Sequence, residues 1–204
     1  YTLKSKGVTG PGMVTSAWNY AYAPNTSYYR HSGVTLKYPV CTLPYPQCVN
    51  PVCTSDSCAG SSVTTVTGPG GQWERHTYGN SYRYNEGKLL KVERGYGAGS
   101  ILQTSLSAYD LALAGTPYPA KFGTSTRYNF DGWAENFHRP LLATTITQDG
   151  VNFGSSNAGF DAFARPLSVL RTSSLGYSRT DAYQYHDLQS KWVMGQVKQV
   201  ARGG

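Results

Sequence analysis

The chain has 204 residues, of which 14% are charged, and its formal net charge is +7. Ordinary soluble domains contain about 25% charged residues, and no apolar run here approaches the roughly 18 residues of a membrane-spanning helix. The 17 tyrosines, 23 glycines and two methionines favour many short strands and turns and argue against a helical bundle. Basic residues are dispersed along the chain, so a nucleic-acid partner is not expected.

The pentapeptide Val-Thr-Gly-Pro-Gly occurs twice, at 8–12 and 66–70. Gly-Pro-Gly is a signal for a tight turn. Each copy precedes aromatic residues, several of them two positions apart, and this spacing is typical of a strand with one buried face. These aromatic residues are Trp18, Tyr20 and Tyr22 after the first copy, and Trp73 and Tyr78 after the second. Each pentapeptide therefore predicts a turn followed by a strand.

All four cysteines lie within one short stretch rich in Pro and Ser. They are Cys41, Cys48, Cys53 and Cys58. Two disulfides would order a segment with few apolar residues, and we favour them over a zinc site, whose cysteine pairs are usually closer, and over free thiols. Pairing of neighbours and a nested pairing are both open. The nested form is slightly favoured because 49–52 makes a plausible turn.

A second motif, Phe-x-Arg-Pro-Leu, occurs at 137–141 and 163–167 and is followed each time by a strand-like segment, 142–148 and 168–173. Asp149-Gly150 then predicts a hairpin. An aromatic residue and an Asp precede the second copy, as Phe160-Asp161, and similar pairs occur elsewhere in the chain. The repeating unit is a strand, an aromatic-Asp pair, a turn with a basic residue and often Pro, and another strand. One unit cannot bury its aromatic face alone, so we expect units to stack.

The sequence therefore predicts an all-β fold, a curled antiparallel sheet of stacked strand-turn-strand repeats with long loops rich in Pro, Gly and Ser. We expect those loops at 24–39, 41–62 and 114–125. The predicted division is an N-terminal β segment at 1–62, with its cysteine loop at 41–58, and a repeat region at 63–204 that continues from it. Because the chain begins at Tyr1, we expect a processed product or a piece of a longer protein.

These motifs resemble the bacterial RHS (YD-repeat) proteins. The resemblance covers most of 63–200 and, more weakly, 8–23. It is carried by the segments 65–72 with Tyr78-Gly79, 85–92, 160–167, 177–181 and 192–197. It implies a β-sheet strip that spirals into a hollow shell, which in the family encloses a toxic C-terminal domain or decorates secreted and wall-associated proteins. The family's C-terminal core with paired Asp residues and the toxin domain have no counterpart here, so self-cleavage and killing are not inferred.

The sequence offers no coherent catalytic group. His138 lies beside Glu135, and His186-Asp187 lies near Asp181, but spacing alone is a weak signal. We expect His138 and His186 to cap turns, and we expect no catalytic residue, metal or cofactor. At repeat-like positions a carboxylate can bond the N–H groups of a turn, and these carboxylates are Glu74, Glu86, Glu93, Asp131 and Asp161. The glycine-rich segment 95–99 lacks the Lys and following helix of a phosphate-binding loop, so it is predicted to join two strands.

The tryptophans carry the strongest alternative. They are Trp18, Trp73, Trp133 and Trp192. Aromatic side chains in a curled sheet usually fill the core or an interface, but exposed ones can stack on sugar rings. The sequence thus predicts a structural repeat segment, secreted or on the bacterial cell surface, that associates with itself or with neighbouring repeats and is not an enzyme. A carbohydrate- or surface-binding module is the alternative function.

Overall fold

The structure, a computed structural model, describes residues 2–23, 61–79, 85, 87–110, 116–119 and 138–203, and the backbone of 121–122 and 136–137. Within these ranges the chain is all-β, and its one helical element is the short 3₁₀ turn Gln189–Lys191. Every strand ladder is antiparallel. The predicted all-β antiparallel class is confirmed. Two compact units are present: unit 1 is 1–106 with 121–137, and unit 2 is 107–120 with 138–204.

Among its described residues, unit 1 contains six strands that pair in chain order and a separate pair of very short strands. The six are β1 (Ser5–Val8), β2 (Ser16–Ala23), β3 (Ser61–Thr67), β4 (Gln72–Gly79), β5 (Leu89–Tyr96) and β6 (Ser100–Tyr109), and the short pair is β7 (Lys121–Phe122) with β8 (Asn136–Phe137). The last residues of β6, 107–109, belong to unit 2. Because β3 begins at Ser61, the predicted loop 41–62 is two residues too long.

Unit 2 contains five further strands, which also pair in chain order. They are β9 (Leu141–Gln148), β10 (Val151–Phe160), β11 (Pro166–Ser173), β12 (Ser178–Leu188) and β13 (Val193–Gly203). The predicted strands 142–148 and 168–173 therefore form, as β9 and β11. Asp149 and Gly150 both have positive φ angles, 51° and 76°, as a two-residue turn that matches the twist of a hairpin requires. The predicted hairpin is confirmed.

Both Val-Thr-Gly-Pro-Gly segments lie at hairpin turns. The first joins β1 to β2 and the second joins β3 to β4. In the second, Gly71 has a φ of 85° and donates its N–H to the Gly68 carbonyl at 3.1 Å, and glycine adopts this left-handed backbone at little cost. Each predicted turn is thus followed by a predicted strand.

The aromatic alternation in β2 works as its period of two indicates. Trp18, Tyr20 and Tyr22 are half-buried, while the three alternate positions after Trp18 are exposed. On β4, Trp73 lies across the facing Gly95 of β5, so that a Cβ added at Gly95 would collide with the indole ring. A large aromatic ring covering a strand glycine is a recognised way to fix strand register.

The fully buried core is small. Among the described residues, the buried apolar side chains are Val92, Tyr118, Phe160 and Val169, and the buried polar ones are Glu93, Arg139 and Asp181. Burial of apolar surface is normally the dominant stabilising contribution to a fold. Because so few of the described apolar side chains are buried, strand pairing, turn contacts and ion pairs contribute a large share of the stability of this part of the chain.

Candidate functional site

The turn between β10 and β11 is built around Asp161. Its Oδ1 accepts the N–H groups of Phe163 at 2.9 Å and Arg165 at 3.0 Å, and its own N–H donates to the Arg165 carbonyl at 3.0 Å. Burial opposes ionisation of this carboxyl, but the hydrogen bonds from Arg165 and the backbone outweigh burial and lower the pKa of Asp161. A carboxylate that accepts turn N–H groups at this position was the sequence expectation, and it is correct here.

Arg165 connects this turn to a second one. Its Nε donates to Asp161 Oδ2 at 2.7 Å, and its two terminal nitrogens donate to the two oxygens of Asp187 at 2.7 and 2.6 Å. Asp187 stands at the end of β12, just before the turn into β13. Parallel, two-pronged pairing of this kind is the strongest geometry for an arginine and a carboxylate. Arg165 therefore joins the β10–β11 turn to the β12–β13 turn, which lies at the same end of the strands.

The electrostatics of this group follow from the same contacts. Hydrogen bonds from Arg165 and from the Gly195 N–H, at 2.9 Å, lower the pKa of Asp187 to about 2. The hydrogen bond to Asp187 raises the pKa of Arg165 above its ordinary value. Each of the three side chains is only 18–19% exposed. All three groups are therefore charged at neutral pH and shielded from solvent.

Tyr185 completes the group. The Arg165 guanidinium lies 4.3 Å from the centre of the Tyr185 ring, which is close enough for a cation–π attraction. The Tyr185 hydroxyl donates to the Pro166 carbonyl at 2.8 Å. We call Asp161, Arg165, Tyr185 and Asp187 the arginine clamp.

The other Phe-x-Arg-Pro-Leu copy has related contacts at the end of β6. The Asp110 N–H donates to the Pro140 carbonyl at 2.8 Å, and the Tyr118 hydroxyl donates to Asp110 at 2.6 Å. Arg139 is buried and donates to the His138 carbonyl at 2.9 Å. Here too, an Asp that follows an aromatic residue at a strand end meets the Arg-Pro pair that opens the next strand. The intervening chain is much longer than in the second copy.

Tyr118 is the most buried aromatic side chain of this region. Its ring lies edge-on to Phe160, with 5.9 Å between ring centres, and edge-on to His138, at 5.6 Å. Burial and then the hydrogen bond to Asp110 raise the pKa of Tyr118 to about 12. Nδ1 of His138 lies 2.6 Å from the Pro119 carbonyl. This histidine therefore binds the backbone of the segment 116–119, in keeping with the capping role predicted for it.

Unit 1 contains a second set of charged contacts, between β4 and β5. Buried Glu93 accepts from Arg75 at 2.8 Å and pairs with Lys91 at 3.2 Å. Burial opposes its ionisation, but these two cations outweigh burial and lower the pKa of Glu93. Arg94 bonds Gln103 at 2.6 Å and also pairs with Glu74. Glu74 and Glu93 thus pair across strands, where the sequence expectation placed them in turns.

Within unit 1, the two described tryptophans lie on different faces of the sheet. Trp18 is half-buried, with Lys6 at 5.8 Å from its ring. Trp73 donates from Nε1 to the Gly97 carbonyl at 3.1 Å and, from the strand registers, lies on the face of the unit 1 sheet opposite to Trp18. Trp192 in unit 2 is 87% exposed. Trp133 lies outside the described residues, as do the disulfide candidates.

Of the histidine-carboxylate groups considered for catalysis, the structure describes the one around His186. His186 and Asp187 are consecutive in β12, and Asp187 accepts hydrogen bonds from Arg165 and from the Gly195 N–H. His186 lies within a strand, and the prediction that it caps a turn is wrong. Glu135 lies outside the described residues, so the His138–Glu135 pair stays a prediction.

No family model, curated protein or solved structure matches the chain. The part of the chain that the structure describes contains no group of three or more His, Cys, Asp or Glu side chains able to hold a metal ion. It also contains no helix with the length and apolar character needed to span a membrane. A function can therefore be proposed only from the contacts of the described side chains within each unit.

The second partner of Arg165 was missed from the sequence. The expectation linked each carboxylate to its own turn, whereas Asp187 lies at the β12–β13 turn, two turns further along the chain. The segment Tyr185-His186-Asp187 carried the usable signal, because it repeats the aromatic-then-Asp order of Phe160-Asp161. Asp161 and Asp187 can be placed at the same end of the strands only from the antiparallel strand order, in which every second turn lies at that end.

Proposed function

We propose that the chain is a structural repeat segment of a secreted or cell-surface protein similar to the RHS proteins, and that it forms part of a β-shell or a self-assembling fibre. The arginine clamp carries this proposal. It commits two carboxylates, a guanidinium and a tyrosine to each other and leaves none of them positioned for chemistry on a substrate. What the clamp achieves is to hold one strand-turn-strand unit against the next.

The terminal strand of unit 2 supports association. β13 stands last in the strand order, is 11 residues long and is exposed at nearly every position. Among the described residues, its outer edge has no partner strand, and unpaired edges are templates for further strands. Val193, Val197 and Val200 are 37–53% exposed along it, so this edge suits pairing with a further repeat or a second copy.

Electron microscopy and analytical ultracentrifugation of the purified chain test the proposal. We expect filaments, closed shells or concentration-dependent oligomers, and we expect Val200→Lys to shift the chain towards monomer because a charged edge residue discourages strand pairing. Leu175→Lys is the matched control, since Leu175 is 63% exposed in the turn between β11 and β12 and not on the edge. A wild-type chain that stays monomeric at high concentration contradicts the association.

A specific observation favours the second candidate, a carbohydrate-binding module. Trp192 is 87% exposed at the tip of the β12–β13 turn, and its φ is 52°, a backbone conformation that is unusual for a bulky residue. Exposed indole rings stack well on sugars. A glycan-array signal that disappears in Trp192→Ala supports this candidate, and an array without signal removes it.

A further inference from the structure

Three arginines that do not belong to the arginine clamp gather on one face of unit 2. Arg171 of β11 stands directly opposite Arg179 of β12, and Arg202 of β13 stands opposite Asp181 of β12. Directly opposed residues of an antiparallel pair lie on the same face with their Cβ atoms about 5 Å apart. The four side chains therefore occupy one compact area across three neighbouring strands.

The charge of this area is unbalanced. Asp181 is 3% exposed, and its Oδ2 accepts from both Arg171 and Arg179, the latter at 3.1 Å. One carboxylate thus faces three guanidinium groups, an excess of two positive charges. Like charges directly opposite each other are destabilising. The strands β9–β13 contain one other carboxylate, Asp187, which is bound to Arg165.

The arginines are accessible although their shared carboxylate is buried. The side chain of Arg171 is 43% exposed and that of Arg179 is 51% exposed, and Arg202 is also exposed. Each guanidinium has five N–H donors. The contact to Asp181 uses one donor from Arg171 and one from Arg179, and Arg171 also lies within hydrogen-bonding reach of the Tyr183 hydroxyl. The remaining donors can bind an external carboxylate or sulfate in the two-pronged geometry that arginine favours.

We propose that Arg171, Arg179 and Arg202, which we call the arginine patch, form a binding surface for an acidic polysaccharide. Ser155, directly opposite Arg171, presents a hydroxyl group on the same face, and the hydroxyl of Tyr183 lies beside the Arg171 guanidinium. Hydroxyl groups of this kind hydrogen-bond sugars. The arginine patch has two more positive than negative charges within a small area. This excess suits a polymer that carries acidic groups at regular, short intervals.

Nucleic acid fits this surface less well. The affinity of a protein for nucleic acid rises with the number of phosphates that its basic side chains neutralise. The arginine patch supplies three basic groups. The proposal does not depend on the structural role of the chain, because the patch and the clamp involve different side chains of β12.

Binding of the full chain to polygalacturonate, followed by affinity electrophoresis and calorimetry in low salt, tests the proposal. Dextran is the uncharged comparison, dextran sulfate distinguishes a sulfate from a carboxylate source, and a thymidine oligonucleotide represents nucleic acid. Arg202→Gln is the informative variant, because replacing Arg171 or Arg179 would leave buried Asp181 with fewer donors. Lys191→Gln is the control, with the same loss of charge at the far end of the β12–β13 hairpin.

We expect polygalacturonate or dextran sulfate to bind and dextran not to bind. Arg202→Gln should weaken binding about tenfold, as loss of a hydrogen bond between charged groups does, with Arg202→Lys intermediate and Lys191→Gln within about twofold of wild type. Circular dichroism should show that each variant is folded. The proposal is overturned by equal binding of wild type and Arg202→Gln, by oligonucleotide binding that is as tight, or by no binding of either acidic polymer.

Discussion

Replacing Arg165 with Met tests the arginine clamp directly. The change keeps an unbranched side chain but leaves the carboxylates of Asp161 and Asp187 facing each other without a cation. Breaking a fully buried ion pair costs about 3–5 kcal/mol, and because these side chains are 18–19% exposed we expect about 2–3 kcal/mol. For a chain of this size that corresponds to a fall of about 5–10 °C in the melting temperature.

Calorimetry at pH 7 measures this fall, and the pH dependence supplies a second readout. The clamp lowers the pKa values of Asp161 and Asp187 in the folded state, to about 2 for Asp187. Their contribution to stability is therefore present above the unfolded-state pKa near 4 and is lost as the pH falls through the folded-state pKa. Arg165→Met should accordingly lose less stability between pH 4 and pH 2 than the wild-type chain does.

Two control variants sharpen the test. Arg165→Lys keeps the charge but not the two-pronged geometry and should fall between wild type and Arg165→Met. Lys191→Gln removes an exposed cation outside the arginine clamp, and we expect it to cost less than about 1 kcal/mol. A melting temperature of Arg165→Met within 2 °C of wild type would refute the reasoning.

Three further predictions concern other parts of the two units. In urea unfolding, Gly95→Ala should destabilise unit 1 by about 1–3 kcal/mol, as overpacking does, and should change the tryptophan fluorescence. Gly7→Ala is the control and should be nearly neutral, because nothing lies within 4 Å of the added Cβ. Stability should fall as the pH rises from 10 to 12, because the folded-state pKa of Tyr118 is raised to about 12, and Tyr118→Phe should remove that part of the alkaline loss. Trp192→Gly should raise the melting temperature slightly, because it relieves a left-handed backbone; a fall would contradict this account.

Much of the strand arrangement followed from local sequence. Gly-Pro-Gly and Asp-Gly turns, with residues of period two beside them, placed the hairpins of β1–β2, β3–β4 and β9–β10. Local chemistry sets these features, because a turn needs residues that tolerate positive φ and a half-buried strand needs alternation. The limits of the loops were less well predicted, since Ser61 and Ser62 have the composition of a loop but pair with Tyr78 and Gly79 of β4.

The candidate site could be predicted only within one turn. Asp161 bonding the N–H groups of its own turn is a local pattern, and the sequence indicated it. The bond from Arg165 to Asp187 joins residues 22 positions apart, and it depends on which turns lie at the same end of the strands. The arginine patch is likewise invisible in the sequence, where Arg171, Arg179 and Arg202 are separated and look like dispersed surface charge. Strand register brings them together.

The clamp also gives a physical reason for the order of residues in the Phe-x-Arg-Pro-Leu motif. Proline biases the preceding residue towards extended backbone, which suits Arg165 at the entry to β11 while its carbonyl accepts the Asp161 N–H. Proline has no N–H of its own, and the carbonyl of Pro166 accepts the hydroxyl of Tyr185 from the neighbouring strand. Most of these bonds close one turn, and the bonds to Asp187 and from Tyr185 reach the next strand pair. A strand-turn-strand repeat with little apolar core of its own is thus stabilised by the next repeat in the same sheet. This is the property expected of repeats that are stable only when they are stacked on one another.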